Sequence, residues 1–309
     1  MGRFRLLAGS PSEVALTDVG SKAHTLAVLS ESGVQVPEGF AISARVALQA
    51  WASLLEAGLA ERSGREATHA LESAYPEPDL LELRQCLEQY VAPYGFAVRS
   101  SGRYEDGSRR SFAGIYDSQL GVPAADVAGA VASIWASETS PPRARAYAGS
   151  DVPLRPQGMG VIIQRMINPR VAGTVFTANP VDSKSNSLVV EAVFGLADGL
   201  MAGVVQPDTY EISRAGVEIE AFISGQPRKL ELLAGGGVTD VPLPSSQQDS
   251  RKLTQAELRE LVELALNIEA KLGRAQDIEF AIDDAGINIL QARPVTAIAV
   301  RTDNERRLL

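Results

Sequence analysis

Apolar positions along the chain repeat first with helical spacing and later with strand spacing. Ala23, Leu26, Ala27 and Leu29 recur on one helical face, so residues 20–32 read as a helix stopped at Gly33. Helical patterns follow at about 44–59, 65–74 and 78–91, and again over 124–136 and 142–148. Between them, 40–42, 96–101 and 115–122 are short apolar runs with the look of strands. From Met159 strands dominate, at 159–166, 173–177, 188–193, 209–213 and 217–223. A Gly- and Pro-rich polar stretch, 235–250, reads as a surface loop. Thr254 and Glu257 then form the sequence signature of a capping box opening a helix over 254–272.

Two last runs close the pattern. Residues 276–282 and 289–294 are strand-like, and Asp283-Asp284-Ala285-Gly286 between them suits a hairpin turn. A period of two puts Glu279 on one face of its strand, and puts Gln291 and Arg293 together on one face of the next. A carboxylate, an amide oxygen and a guanidinium brought together are what a metal–triphosphate complex needs. A structural Glu–Arg pair is the plain alternative. Helices and strands mix without strict βαβ alternation, which predicts an α+β fold. The break at Gly149–Pro153 suggests two lobes, 1–150 and 151–309.

Composition narrows the function classes. A net charge of −9 over 309 residues argues against nucleic-acid or anionic-membrane partners. No apolar run approaches the length of a membrane span. Cys86 is the single cysteine, so no internal disulfide exists; with it goes the expectation of a cytoplasmic protein and of a buried structural thiol. Lysines stand only at 22, 184, 229, 252 and 271. Lys22 lies in the first turn of its helix, where anions are favoured; a solvated lysine is the alternative. Arg99 ends an apolar strand and suits bidentate phosphate contact, or else a pair with Glu105 or Asp106. Ser111-Phe112-Ala113-Gly114 has the composition of a lid. Gln164, Arg165 and Met166 end a strand fit to line an adenine pocket, although such a run is commonly core. Glu191 is able to support the metal site or to cap the glycine-rich turn after it.

These stretches, taken in order, resemble the ATP-binding domain of the pyruvate phosphate dikinase, phosphoenolpyruvate synthase and rifampicin phosphotransferase family. The matching residues are Gly20–Ala23, Val36–Phe40, Ala97–Ser101, Glu105-Asp106, Ser111–Gly114, Trp135–Ser137, Val161–Met166, Ala172–Pro180, Phe194–Leu196, Gln206–Asp208, Gln276–Glu279 and Leu290–Thr296. The resemblance implies an ATP-grasp-like fold with ATP held between two lobes. It makes Lys22 and Arg99 phosphate ligands, Glu279 and Gln291 Mg²⁺ ligands, and Arg293 a contact of the terminal phosphates. Arg143 matches an arginine that follows the Trp-Ala-Ser segment, and Gln164 to Met166 match the adenine-side strand. The family's usual Gly-Gly-Lys-Gly is here Gly20-Ser21-Lys22-Ala23, and its Gly-Leu-Gly-Glu is Gly195-Leu196-Ala197-Asp198.

Family members carry the phosphoryl group on a histidine of a further domain. His24 and His69 are the histidines here, and both read as surface or capping residues. The expected function is therefore an ATP-dependent phosphotransferase domain that passes phosphate to a relay histidine on another domain or chain. A stand-alone kinase acting directly on a small molecule and a non-catalytic nucleotide-binding module are the alternatives. The phosphoryl acceptor is left open by the sequence.

Overall fold

The computed structural model describes residues 4–6, 16–59, 64–102, 118–140, 156–180, 185–198, 205–215 and 217–295. The expected helix over 142–148, Arg143, Glu105-Asp106 and Ser111–Gly114 lie outside them. The chain divides into two compact units, one comprising 1–33, 37–166 and 232–238, the other 34–36, 167–231 and 239–309. The fold mixes helix and sheet as expected for α+β.

The first unit holds a five-stranded sheet in the order β1-β2-β5-β3-β4, every pairing antiparallel. Its strands are β1 (Phe4–Leu6), β2 (Gly39–Ile42), β3 (Phe96–Ser101), β4 (Ser118–Val122) and β5 (Gly160–Arg165). β5 sits between β2 and β3, so it belongs here, and the division by contacts falls at Met166/Ile167 rather than near residue 150.

A short turn of helix, α1 (Leu16–Val19), precedes α2 (Ser21–Glu31). Four longer helices, α3 (Ala44–Glu56), α4 (Arg65–Ser73), α5 (Glu77–Glu88) and α6 (Val127–Ala136), supply the apolar cover. Alternation along the strands sends Phe40, Ile42, Phe96, Val98, Val161 and Ile163 into one core with Trp51, Leu71 and Trp135. Trp135 satisfies its indole by donating to the Met159 carbonyl at 3.1 Å, so a large ring is buried without an orphaned donor. Cys86 is half-buried against this core rather than fully buried.

The second unit holds a six-stranded antiparallel sheet in the order β13-β12-β6-β7-β8-β9. The strands are β6 (Val171–Phe176), β7 (Ser187–Phe194), β8 (Asp208–Ser213), β9 (Glu218–Phe222), β12 (Gln276–Asp283) and β13 (Gly286–Pro294). Ile278, Val175, Val190 and Tyr210 are register partners across four strands, and each is 0% exposed. The segment expected as loop over 235–250 instead forms β11 (Val238–Pro242), paired with β10 (Arg228–Leu232), and the short helix α7 (Ser245–Gln248). Gly235, Gly236 and Gly237 all have positive φ and reverse the chain, so the glycine signal marks the hairpin's turn and not the whole segment.

Helix α8 (Gln255–Leu272) packs on β12 through Leu258, Leu261, Val262, Ala265 and Ile268. Its capping box is formed as the sequence predicts: Thr254 Oγ1 accepts from the Glu257 N–H at 3.2 Å, and Glu257 Oε2 accepts from the Thr254 N–H at 2.8 Å.

Candidate nucleotide site

The hairpin between the last two strands forms through Asp283 to Gly286, and its register pairs Glu279 with Gln291 and Asp277 with Arg293. Cross-strand partners share a face, so these four side chains stand together on one side of the sheet. A bulge beside Glu279 adds Leu290 as an extra residue and lets Ile289 return to the apolar face opposite Phe280. Continuing across the sheet, Glu279 pairs with Thr174, Thr174 with Glu191, and Glu191 with Thr209. One polar row, Gln291–Glu279–Thr174–Glu191–Thr209, therefore crosses five strands on the face opposite the apolar one.

The row is electrostatically loaded. Arg293 donates through Nε to Asp277 Oδ2 at 2.9 Å, and its Nη2 lies 2.8 Å from the same oxygen. Burial pushes the Glu191 carboxyl above the usual range, and the charge of Asp277 adds to the effect. Thr174 is 4% exposed, and its Oγ1 is buried with no hydrogen-bond partner among the described residues. An orphaned hydroxyl flanked in register by the carboxyl groups of Glu279 and Glu191 is a hard-oxygen environment, and hard oxygens are what Mg²⁺ prefers. Among the described residues no three His, Cys, Asp or Glu side chains gather to hold a metal ion. The donor set therefore fits a cation with one or two protein ligands rather than an all-protein cage.

In the first unit, Arg99 shares its sheet face with Ala97 and Ser101, and is half-buried. Helix α2 lies against that face. The Ala23 N–H donates to Ser101 Oγ at 3.1 Å, and Ser21 Oγ donates to the Gly102 carbonyl at 3.1 Å. This approach requires glycine at position 20: its φ is +81°, and a Cβ would lie 1.8 Å from the Ser101 carbonyl oxygen. The first turn carrying Lys22 is thereby fixed beside the end of the strand carrying Arg99.

Gln164 shares the Arg99 face but is 2% exposed and donates to the Pro37 carbonyl at 3.3 Å. Arg165 pairs with Glu38 at 3.6 Å, and its backbone N–H donates to Glu38. The Met166 N–H donates to Gly95. Both backbone donors at this strand end are thus already used within the first unit. His24 is half-buried on α2 and His69 is exposed on α4. The Cys86 thiol is pushed up by burial and then by Glu82, the opposite of an activated nucleophile.

Sequence reasoning gave no role to Asp277, although a period of two from Glu279 already puts it on the same face. Thr174 lies in a segment that matches the family, but only the register of β6 against β12 reveals its neighbours.

Comparison with known proteins agrees with this architecture. The model of the family described as pyruvate phosphate dikinase, AMP/ATP-binding domain matches residues 16–307. A rifampicin phosphotransferase of a Streptomyces species is 36% identical over 304 residues, which cover 92% of this chain and 35% of the relative. A prodigiosin synthesizing transferase of Serratia marcescens is 32% identical over 289 residues, covering 91% of this chain and 32% of its own. A probable phosphoenolpyruvate synthase of Archaeoglobus fulgidus is 31% identical over 310 residues, covering 91% and 40%. The chain thus spans 32–40% of the length of these curated relatives. With the match running over nearly its whole length, the chain belongs to the pyruvate phosphate dikinase AMP/ATP-binding domain family.

Proposed function

We propose that this chain binds Mg·ATP in an ATP-grasp-like arrangement and activates it for phosphoryl transfer to a histidine on another domain or chain. On this reading Lys22 and Arg99 are phosphate ligands, Glu279 and Gln291 are Mg²⁺ ligands, Arg293 contacts the terminal phosphates, and Arg143 is a further nucleotide ligand. Gln164, Arg165 and Met166 form the adenine side. The observation that carries the reading is the Glu279–Gln291 cross-strand pair on a polar sheet face that also holds Arg293, Asp277 and the orphaned Thr174 hydroxyl.

Phosphoryl transfer requires positioning and charge neutralisation more than covalent chemistry from the protein. Glu279 and Gln291 would hold Mg²⁺, which when bound neutralises phosphate oxygens and favours departure of the transferred group. Lys22 and Arg99 supply donors to the remaining oxygens. Asp277 restrains the Arg293 guanidinium, so its planar fork is oriented before the nucleotide arrives. The relatives named phosphotransferase and phosphoenolpyruvate synthase support an ATP-dependent phosphotransferase. The absence of a membrane-crossing helix among the described residues and the lone cysteine accord with a cytoplasmic setting.

Calorimetric titration with ATP in the presence of Mg²⁺ tests the reading. Saturable, Mg²⁺-dependent binding that Lys22→Ala weakens is the expected result, and absence of binding would sink it. Nucleotide products then identify the acceptor. AMP with phosphate supports the histidine relay, whereas ADP formed with a small-molecule acceptor supports direct transfer.

A further inference from the structure

On the apolar side of the second sheet, away from Glu279, lies a cavity of about 260 Å³ lined by Arg170, Phe194, Lys229, Leu243, Gln247, Ser250 and Arg251. Its place is fixed by register. Phe194 pairs with Val171, which pairs with Ile282, and both stand on the face opposite the Glu279 row. We propose that this cavity is a second ligand site, for a small molecule that joins a flat apolar ring to a phosphate or carboxylate group.

The floor is rigid. Gln226, 1% exposed, accepts from the Phe194 N–H at 2.9 Å and donates to the Phe194 carbonyl at 3.0 Å. The Phe194 ring is centred 5.4 Å from Lys252 Nζ, itself held by Asp208 Oδ1 at 2.8 Å and by the Ser224 carbonyl. Leu243 is anchored by its N–H to the Pro227 carbonyl at 2.9 Å. An aromatic ring and a buried leucine held in this way offer a preformed apolar surface to a planar body.

The rim is the opposite. Arg170 pairs with Glu257, Lys229 with Glu231 and Arg251 with Glu218, but the three cations keep 49%, 25% and 39% of their side-chain surface exposed. Partly exposed pairs of this kind contribute modestly to stability, so a ligand anion is able to replace a carboxylate of the protein. Three cations around one apolar floor, with Gln247 and Ser250 as neutral hydrogen-bonding groups, define an anion bound edge-on above a ring. No feature of this site depends on the nucleotide reading.

Phenyl phosphate and benzoate are the probes, titrated separately into the full chain and followed by calorimetry. Saturable binding of either supports the site, and the tighter of the two identifies the anion. Lys229→Gln and Arg251→Gln should each weaken that binding about tenfold, the value of one charge-assisted hydrogen bond. Lys22→Ala should leave it unchanged, which separates this site from the nucleotide site. Phenol, which keeps the ring without the anion, should bind at least about tenfold more weakly. Failure of both anions to saturate overturns the proposal. So does phenol binding as tightly as the anions, or weakening by Lys22→Ala with none from the two rim variants.

Discussion

Two buried clusters of the second sheet, one on each face, treat polar groups in opposite ways. On the apolar face, Asp208 is 0% exposed and its carboxylate is fully occupied. Oδ1 accepts from the Ser224 N–H and Lys252 Nζ, and Oδ2 accepts from the Tyr210 hydroxyl and the Lys252 N–H. The Tyr210 hydroxyl pKa is driven far up by burial and by its bond to Asp208, as a committed donor's should be. The polar face instead keeps, at Thr174, a hydroxyl without a partner among the described residues and a carboxyl with a raised pKa at Glu191. A closed network spends its hydrogen-bonding capacity on the fold; an open one retains capacity for a ligand.

The largest test of this contrast removes one member of the closed pair. Lys252→Met leaves Asp208 buried and uncompensated, and should cost about 3–5 kcal/mol in chemical denaturation. A loss under about 1 kcal/mol would mean that the network is not closed. On the open face the pattern should invert. Glu279→Gln should lower Mg²⁺-dependent nucleotide turnover at least about 100-fold, since residues merely supporting a metal ligand already cost up to that much. Its stability should shift by no more than about 0.5 kcal/mol. Unchanged turnover would remove Glu279 from the metal site.

The smallest effect belongs to Glu191. Its folded-state pKa lies above the unfolded one, so between the ordinary glutamate range and the raised value the folded protein binds more protons than the unfolded chain. Stability contributed by this group is therefore present at acid pH and lost as pH rises through that window. Glu191→Gln should flatten this part of the stability–pH curve and leave the variant slightly more stable at neutral pH, as thermal melts from acid to neutral pH would read. A steeper curve in the variant would contradict the burial of Glu191 as the cause.

Local signals carried much of the fold. β3 spans Phe96–Ser101 as its apolar run predicted, and the Thr254–Glu257 capping box opens α8 as written in the sequence. The hairpin that brings Glu279 to Gln291 was also legible, because a period of two and a four-residue turn depend only on neighbouring residues. By contrast, 238–242 became a strand because β10 is there to receive it, and no local propensity announced that. Arg165 shows the same limit: its exposed pair with Glu38 joins residues far apart in sequence.

The sequence by itself determined the α+β elements, the motif order and the chemistry available: lysine, arginines, a carboxylate and amides in an acidic background. Beyond the last hairpin, tertiary structure alone decided which groups share a surface. Strand register, which long-range backbone hydrogen bonds set, placed Thr174 beside Glu279 and Glu191 next along the same row. The same register sent Asp208 to the other face, where burial among Tyr210, Ser224 and Lys252 made it part of the core. Side-chain identity is local, but the face it occupies depends on pairing between distant strands, and one residue of slip would exchange the two faces.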